Sequence, residues 1–239
     1  MTDMIKKIAY ITDAHIDEEY PKTLGVNARN NWKTILEDID SKDINEVIYG
    51  GDIGEGSSNS WFFETLQNYK LSVSLGNHDL FSEVTKYYKN STNIDVDGLF
   101  YSKEIDFFKL IFLDSSTEVI SEKQLEWLKT ELISTKKIVL FIHHPILPIP
   151  AIIDKKYFLQ GREKIQALLQ KIPNEIILFS GHYHMEDYRK CNNVIQYITP
   201  AASYQVEKDL NEIKVHNNSF GYRIIELNKD NIQTEVVLF

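Results

Sequence analysis

The chain has 239 residues and a single cysteine, Cys191. One thiol excludes a disulfide scaffold and any multi-cysteine zinc site, and it suits a reducing compartment. Positive charge is also scarce: Lys and Arg number 26 against 35 Asp and Glu, a net charge of -9. That field repels nucleic acid and argues against non-specific DNA or RNA binding, although a local cationic centre can still take an anionic substrate. Long apolar runs are missing too. The longest, residues 138–153, is broken by His143, His144 and three prolines and cannot span a bilayer. Residues 1–12 hold two lysines but lack a leader's apolar core and small-residue cleavage site. No repeat, low-complexity tract or Pro/Gly/Ser-rich linker divides the sequence. These absences point to a soluble, cytoplasmic protein with no membrane segment, folded as one domain over residues 1–239.

The composition, 43% hydrophobic and 26% charged, is that of a globular chain and excludes disorder or fibrous repeats. Short apolar runs bounded by turn residues predict buried strands at 5–12, 46–49, 71–75, 109–113, 136–142 and 175–179. Between them, apolar residues at helical spacing predict helices at 28–39, 61–69, 81–89, 122–132 and 162–171. Ser121 is the predicted N-cap of the fourth. Strands alternating with helices imply a largely parallel sheet covered by helices. The last third changes character. Segments 194–199, 221–227 and 232–238 read as strands without intervening helices, and 228–231 as a hairpin turn. The predicted fold is α/β: two sheets packed together with helices outside both.

The chemistry-bearing residues follow these strands. They are Asp13-Ala14-His15, Gly50-Gly51-Asp52, Gly76-Asn77-His78-Asp79, His143-His144-Pro145 and Gly181-His182-Tyr183-His184. Six of the seven histidines lie in these clusters, His216 being the exception. Ligands of open α/β sheets bind beyond the carboxyl ends of strands, so the five clusters can converge on one site. Asp, Asn and His offer oxygen and imidazole donors without thiolate, a set that suits Mn, Fe, Zn or Co. Each cluster alone has a commonplace reading, as a turn or a structural histidine. Their joint occurrence in order is what points to metal.

The five clusters resemble the motifs of the calcineurin-like metallophosphoesterases over nearly the whole chain. Leu24-Gly25-Val26-Asn27, Leu113-Asp114-Ser115, Pro200–Gln205 and Gly221-Tyr222-Arg223-Ile224 further resemble the bacterial class III cyclic-nucleotide phosphodiesterase and glycerophosphodiesterase group. The resemblance implies a four-layer αββα sandwich of two mixed β-sheets flanked by helices. It implies a dimetal centre with Asp13, His15, Asp52 and His184 on one ion, and Asp52, Asn77, His143 and His182 on the other. Asp52 would bridge the two. The implied reaction is hydrolysis of cyclic nucleotides or small phosphodiesters by attack of a metal-bridging hydroxide. His78 would sit over the phosphate, with Asp79 orienting its ring. Asn77, His78, His144 and Tyr183 are the implied substrate contacts, with Asn27 and Tyr204 as further pocket candidates.

Two departures touch the pocket rather than the ligands: a shortened Asp52-Ile53-Gly54-Glu55-Gly56 run, and Ala201-Ala202 where relatives carry Ser-Thr. A phosphomonoesterase or protein phosphatase on the same centre is the first alternative, and a non-catalytic binding module the second. The sequence leaves a homo-oligomer open. Neither a Gly-x-Ser-x-Gly elbow nor a phosphate-binding Gly-x-x-x-x-Gly-Lys-[Ser/Thr] loop is present. Asn90-Ser91-Thr92 and Asn217-Asn218-Ser219 match the glycosylation pattern but are read as turns.

Overall fold

The structure, a computed structural model, describes residues 5–89, 98–229 and 231–239. Strands β1 (Lys6–Ile11), β2 (Glu46–Tyr49) and β3 (Lys70–Val73) open the chain. They are followed by β4 (Tyr101–Ile105), β5 (Phe108–Phe112), β6 (Lys137–Phe141), β7 (Ile176–Ser180), β8 (Asp187–Cys191) and β9 (Val194–Ile198). Four more complete the strands: β10 (Gln205–Val206), β11 (Val215–His216), β12 (Gly221–Leu227) and β13 (Ile232–Leu238). One sheet has the order β13-β12-β1-β2-β3, the other β4-β5-β6-β7-β9-β8, and β10 pairs with β11 apart from both. Strands β1, β2 and β3 are parallel, as are β5, β6, β7 and β9, while β12, β13, β4 and β8 add antiparallel edges.

Helices α1 (Glu19–Thr23), α2 (Ala28–Ser41), α3 (Asn59–Thr65), α4 (Phe81–Val84), α5 (Glu122–Glu131), α6 (Ile152–Lys156) and α7 (Arg162–Leu169) fill the connections. Helix α2 starts where the Asn27 side chain accepts the Asn30 N–H, and it buries Ala28, Trp32, Ile35 and Ile39 along one stripe. In α5 the predicted cap holds: Ser121 accepts the Gln124 N–H at 3.1 Å. Strand period sorts the second sheet's side chains. Ile138 and Leu140 face the layer of α5 and α7, whereas Val139 and Phe141 face the first sheet.

One row of rings fixes the register of the whole second sheet. Tyr101, Phe112, Phe141, Phe179, Tyr197 and Tyr188 lie directly opposite one another across its six strands. Successive ring centroids stand 4.5–5.5 Å apart. Tyr10 of β1 packs onto this row from the other sheet, 5.6 Å from Phe141. Cross-strand aromatic pairs add to burial, so a one-residue slip of any strand is costly here. On β6 and β7 the functional clusters begin two residues beyond this row, at His143 and Gly181.

Some elements differ from expectation. The helix predicted at 81–89 ends at Val84, where the Thr85 hydroxyl turns back onto the Phe81 carbonyl. Strands β4 and β8 and the short helices α1 and α6 were not predicted from periodicity. The Asn90-Ser91-Thr92 motif lies outside the described residues, while the Asn217 amide donates to the Leu24 carbonyl.

Glu46, 2% exposed, ties the sheets together. Lys6 of β1 stands 2.7 Å from its carboxylate, and Lys103 of the opposite sheet donates to it at 3.0 Å and to Ser72 at 2.7 Å. Burial would raise the Glu46 pKa, but the two ammonium groups hold it below the ordinary 4.5. A depressed carboxyl contributes stability that is present above that value and is lost as pH falls through the folded-state pKa. Glu46→Ala is therefore expected to cost about 2 kcal/mol, since the lysines left behind are partly solvated. Glu46→Gln should flatten the acid side of the stability curve. Thermal melts between pH 3 and 7 read both, and an unchanged acid limb would refute the role.

Candidate functional site

The clusters meet in one place because the loops leaving the strands are zipped to one another. The Asp13 N–H donates to the Gly51 carbonyl at 2.9 Å and the His15 N–H to the Asp52 carbonyl at 3.1 Å. The Gly181 N–H donates to the His143 carbonyl at 3.0 Å, joining the ends of β6 and β7. Within these loops Asp13, His15, Asp52, His182 and His184 all adopt positive φ, between 46° and 69°. This left-handed region is uncommon for residues other than glycine, and concentrating it here turns five side chains inward over a few residues. Close approach also demands glycine. A Cβ on Gly76 would stand 2.1 Å from Asp52 Oδ1, and one on Gly181 would stand 2.4 Å from Asp13 Oδ2.

Three donor sets result: Asp13, His15 and His184; His15, Asp52 and His78; and Asp52, His143 and His182. In each set the donor atoms lie within 4.8 Å of one another. His184 Nε2 is 3.4 Å from Asp13 Oδ1, His15 Nε2 is 3.6 Å from Asp52 Oδ2, and His143 Nε2 is 3.2 Å from Asp52 Oδ2. Two donors each about 2.1 Å from a common ion stand about 3.0–3.5 Å apart, so this spacing fits shared cations.

Ring orientation makes the same point. His15 Nδ1 donates to Glu18, His143 Nδ1 to the Gly50 carbonyl, and His184 Nδ1 to the Tyr204 carbonyl, at 2.9–3.0 Å. Their Nε2 atoms therefore face the centre. His182 is reversed: its Nε2 donates to the Tyr157 carbonyl at 2.9 Å, which leaves Nδ1 for the centre. His15 Nε2 and His184 Nε2 are only 3.1 Å apart, an arrangement of two lone pairs that needs a proton or a cation between them. Among the described residues Asn77 Oδ1 is buried with no hydrogen-bond partner, and His143 Nε2 is buried with only the two aspartates near it and no well-aligned hydrogen bond. Buried polar atoms are rarely left unpaired, so the residues fit a metal pair by chemistry as well as spacing.

The electrostatics agree. Burial alone would raise Asp13 and Asp52, but neighbouring histidines (His184 and His143 for Asp13, His143 and His15 for Asp52) hold both well below the usual carboxylate range. Burial disfavours the His143 imidazolium, yet the charges of Asp52 and Asp13 outweigh it and raise the ring to about 9. His182 goes the other way, to about 3, through burial and the charge of His143.

Several expected roles change. His78 is not oriented by Asp79. The Asp79 carboxylate accepts the N–H groups of Asp52, Ile53 and Gly76 at 2.8–2.9 Å and so clips two loops together. The ring of His78 donates instead to Glu18 at 3.1 Å, a residue with no motif to mark it. That hydrogen bond raises His78 to about 9 against partial desolvation. Tyr183 is fully buried with its hydroxyl on Asp154, and so does not line the cleft. His144, 1% exposed, shares a 2.9 Å hydrogen bond with Ser115, and its ring lies tilted against that of His182 with centroids 4.0 Å apart, so it packs behind the cleft rather than lining it. Asn27 is spent on capping α2. Tyr204 does belong to the pocket, with its ring 4.3 Å from His184. Cys191 is exposed and remote from the clusters in sequence.

Two clefts of about 320 Å³ meet at His78 and Tyr20. One runs over the donor sets and has an apolar wall that includes Ile153, Tyr157, Tyr204 and Ile213. The other is lined by Glu18, Glu19, Glu55 and Glu83.

Residues 6–186 match the calcineurin-like phosphoesterase family. The chain is 27% identical over 243 residues to a probable cyclic nucleotide phosphodiesterase of Fibrobacter succinogenes, covering 99% of this chain and 95% of that one. It is 30% identical over 178 residues to a probable glycerophosphodiester phosphodiesterase of Arcobacter nitrofigilis, covering 69% and 65%. Among solved structures it resembles a Danio rerio dimetal phosphatase with a TM-score of 0.67 at 14% identity, over 96% of this chain and 98% of that one. The last likeness concerns the fold alone. No helix among the described residues is long and apolar enough to cross a membrane.

Since Asp52 contributes to two donor sets and Gly76 has no room for a methyl group, both positions should control cation binding. After dialysis against Mn²⁺ and gel filtration, Asp52→Asn and Gly76→Ala are expected to retain at most half the metal of the parent protein. Elemental analysis measures it, and parental content in both variants would contradict the assignment.

Proposed function

The chain belongs to the calcineurin-like phosphoesterase family, and we propose that it is a dimetal phosphodiesterase acting on cyclic nucleotides or other small phosphodiesters. The observation that carries the choice of diester is the pair of clefts joined at His78 and Tyr20. A diester phosphorus has two ester arms, and a centre flanked by two clefts offers room to each. The names of the Fibrobacter and Arcobacter relatives support the same class.

Asp13, His15, Asp52 and His184 would hold one ion. Asp52, Asn77, His143 and His182 would hold the other, with Asp52 serving both. Mn, Fe, Zn and Co all suit these donors. When bound, such a pair polarises the phosphoryl oxygens and makes water acidic enough to supply a nucleophile. The chain's own part is to fix charge and orientation. Two buried carboxylates against two divalent ions leave the centre cationic, so a phosphodiester monoanion is drawn in despite a net chain charge of -9. His78 is half-exposed and its Nδ1 is engaged by Glu18, which leaves Nε2 to meet the substrate. We assign it the delivery of a proton to the departing oxygen. The apolar wall beside Tyr204 suits a nucleobase or another flat group. The single cysteine supports a cytoplasmic setting.

Turnover of a panel of phosphodiesters and phosphomonoesters with Mn²⁺ tests the class. Cleavage of bis-p-nitrophenyl phosphate and of 3′,5′- or 2′,3′-cyclic nucleotides is expected, with reversible loss on chelation. Preference for every monoester over every diester would replace the reading with that of a phosphatase.

The role of His78 has its own signature. A ribose or glycerol oxygen is strongly basic and leaves poorly without a proton, whereas p-nitrophenolate leaves unaided. His78→Ala should therefore lose about 10²–10⁴ in kcat/KM on alkyl diesters and much less on p-nitrophenyl diesters, at unchanged metal content. Equal losses on both would reduce His78 to a phosphate contact.

A further inference from the structure

Tyr183 does not reach the cleft, yet it stands in the chain between two donor residues, His182 and His184. Its hydroxyl donates to Asp154 Oδ1 at 2.8 Å, and the Arg162 guanidinium grips both oxygens of that carboxylate, at 2.5 and 3.0 Å. Asp154 is 4% exposed, and a buried carboxylate persists only where charge and hydrogen bonds of this kind compensate it. None of the three side chains belongs to the donor sets.

Asp154 sits on α6, a helix of five residues with no side-chain cap at its start. So short a helix is not held by propensity, and its position depends on tethers. The Ile152 N–H donates to the Asp209 carbonyl at 2.7 Å, and the charge-assisted hydrogen bonds at Asp154 add a stronger hold. The turn closes on Tyr157, whose carbonyl accepts from His182 Nε2. A closed circuit results. His182 grips residue 157 of this turn, and Tyr183, next in the chain, grips residue 154. The hydrogen bond of His182 lies at the surface, where water competes for the carbonyl. It can select the ring nitrogen only while that carbonyl is held in place. His184 is anchored elsewhere: its Nδ1 meets the Tyr204 carbonyl, and its own carbonyl accepts the Val206 N–H at 2.8 Å.

We propose that Asp154, Tyr183 and Arg162 form a positioning clamp, which fixes the Tyr157 carbonyl against His182 and so keeps His182 Nδ1 turned toward the centre. The inference rests on the dimetal assignment. It adds that side chains remote from both ions set the affinity of one of them, the ion that Asp52, Asn77, His143 and His182 would hold. The ion assigned to Asp13, His15, Asp52 and His184 is outside the clamp's reach.

Equilibrium dialysis of Mn²⁺-loaded protein against buffers of graded free Mn²⁺, with elemental analysis of the retained metal, gives the two stepwise affinities. Tyr183→Phe keeps the buried ring and deletes only the hydroxyl. It is expected to weaken one affinity about tenfold, the scale of losing support behind a metal-bound histidine, and to leave the other unchanged. His182→Asn offers an amide oxygen near the place of Nδ1 but has no group to reach the Tyr157 carbonyl. In that background Tyr183→Phe should change affinity by no more than about twofold, because the ring through which it acts is gone. Asp154→Ala should weaken the same ion and add little to Tyr183→Phe. A hydroxyl with a structural role alone would lower the melting temperature and leave both affinities where they were. Unchanged affinities in Tyr183→Phe, or an equal loss with and without His182, would overturn the clamp. A parent chain that retains fewer than two ions at saturating Mn²⁺ would overturn the dimetal assignment instead.

Discussion

Two carboxylates of like charge, Asp13 and Asp52, lie buried within reach of the same histidine ring, and much of the molecule answers that fact. His143 Nε2 is 3.7 Å from one and 3.2 Å from the other. Ionised groups cannot stay in such a place uncompensated. Without a cation, His143 carries the compensating proton, with its pKa raised to about 9 by the two aspartates against the cost of burial. The same position offers an imidazole nitrogen to a metal once that proton has left. Cation binding and deprotonation at this centre are thus alternative answers to one electrostatic demand. The left-handed turns, the glycines packed against carboxylate oxygens and the Asp79 clip keep that demand in a fixed geometry.

The supports lie one layer down. The aromatic row from Tyr101 to Tyr188 places the strand ends of the second sheet at a common level, and Tyr10 sets the first sheet against it. His143 follows Phe141 by two residues and His182 follows Phe179 by three, so the register of the rings becomes the position of the ligands. Displacing a strand by one residue would turn these rings away from the seam and carry the histidines with them. Stability and site geometry therefore depend on the same contacts. Slack tolerated elsewhere in a core would be felt here as misplaced donors.

What was legible in the sequence follows from what sequence patterns encode. The central strands β1, β2, β5, β6 and β7 are buried on both faces and read as short apolar runs. The donor residues sit at their ends in recognisable order. Strand β8, by contrast, is Asp-Tyr-Arg-Lys-Cys at a sheet edge, where one face meets solvent and little apolar signal is needed. Helices α1 and α6, at five residues each, are too short to show a period. Site residues that act through the backbone were equally hidden. The carbonyls of Gly50, Tyr157 and Tyr204 orient three histidines, and no side-chain pattern could mark them. Tyr183 and His144 misled in the opposite way, because adjacency to a ligand in sequence is not adjacency to the cleft. Tyr183 lies between two inward-turning left-handed histidines, His182 and His184, and is sent into the core.

Glu18 shows how few groups couple the parts of the site. One oxygen accepts from His15, which presents its other nitrogen to the donor sets, and the second accepts from His78, which faces the junction of the two clefts. Burial would raise this carboxyl, but the two rings hold it down at about 2, so it remains charged and keeps both Nδ1 protons in place. A single carboxylate thereby fixes the tautomer of a ring at the donor sets and the direction of a ring at the junction of the clefts. It stands at the start of α1 with Glu19 beside it, on the side of the acidic cleft. The His78 ring, at the junction of the two clefts, is therefore held by a residue that itself lines the acidic one.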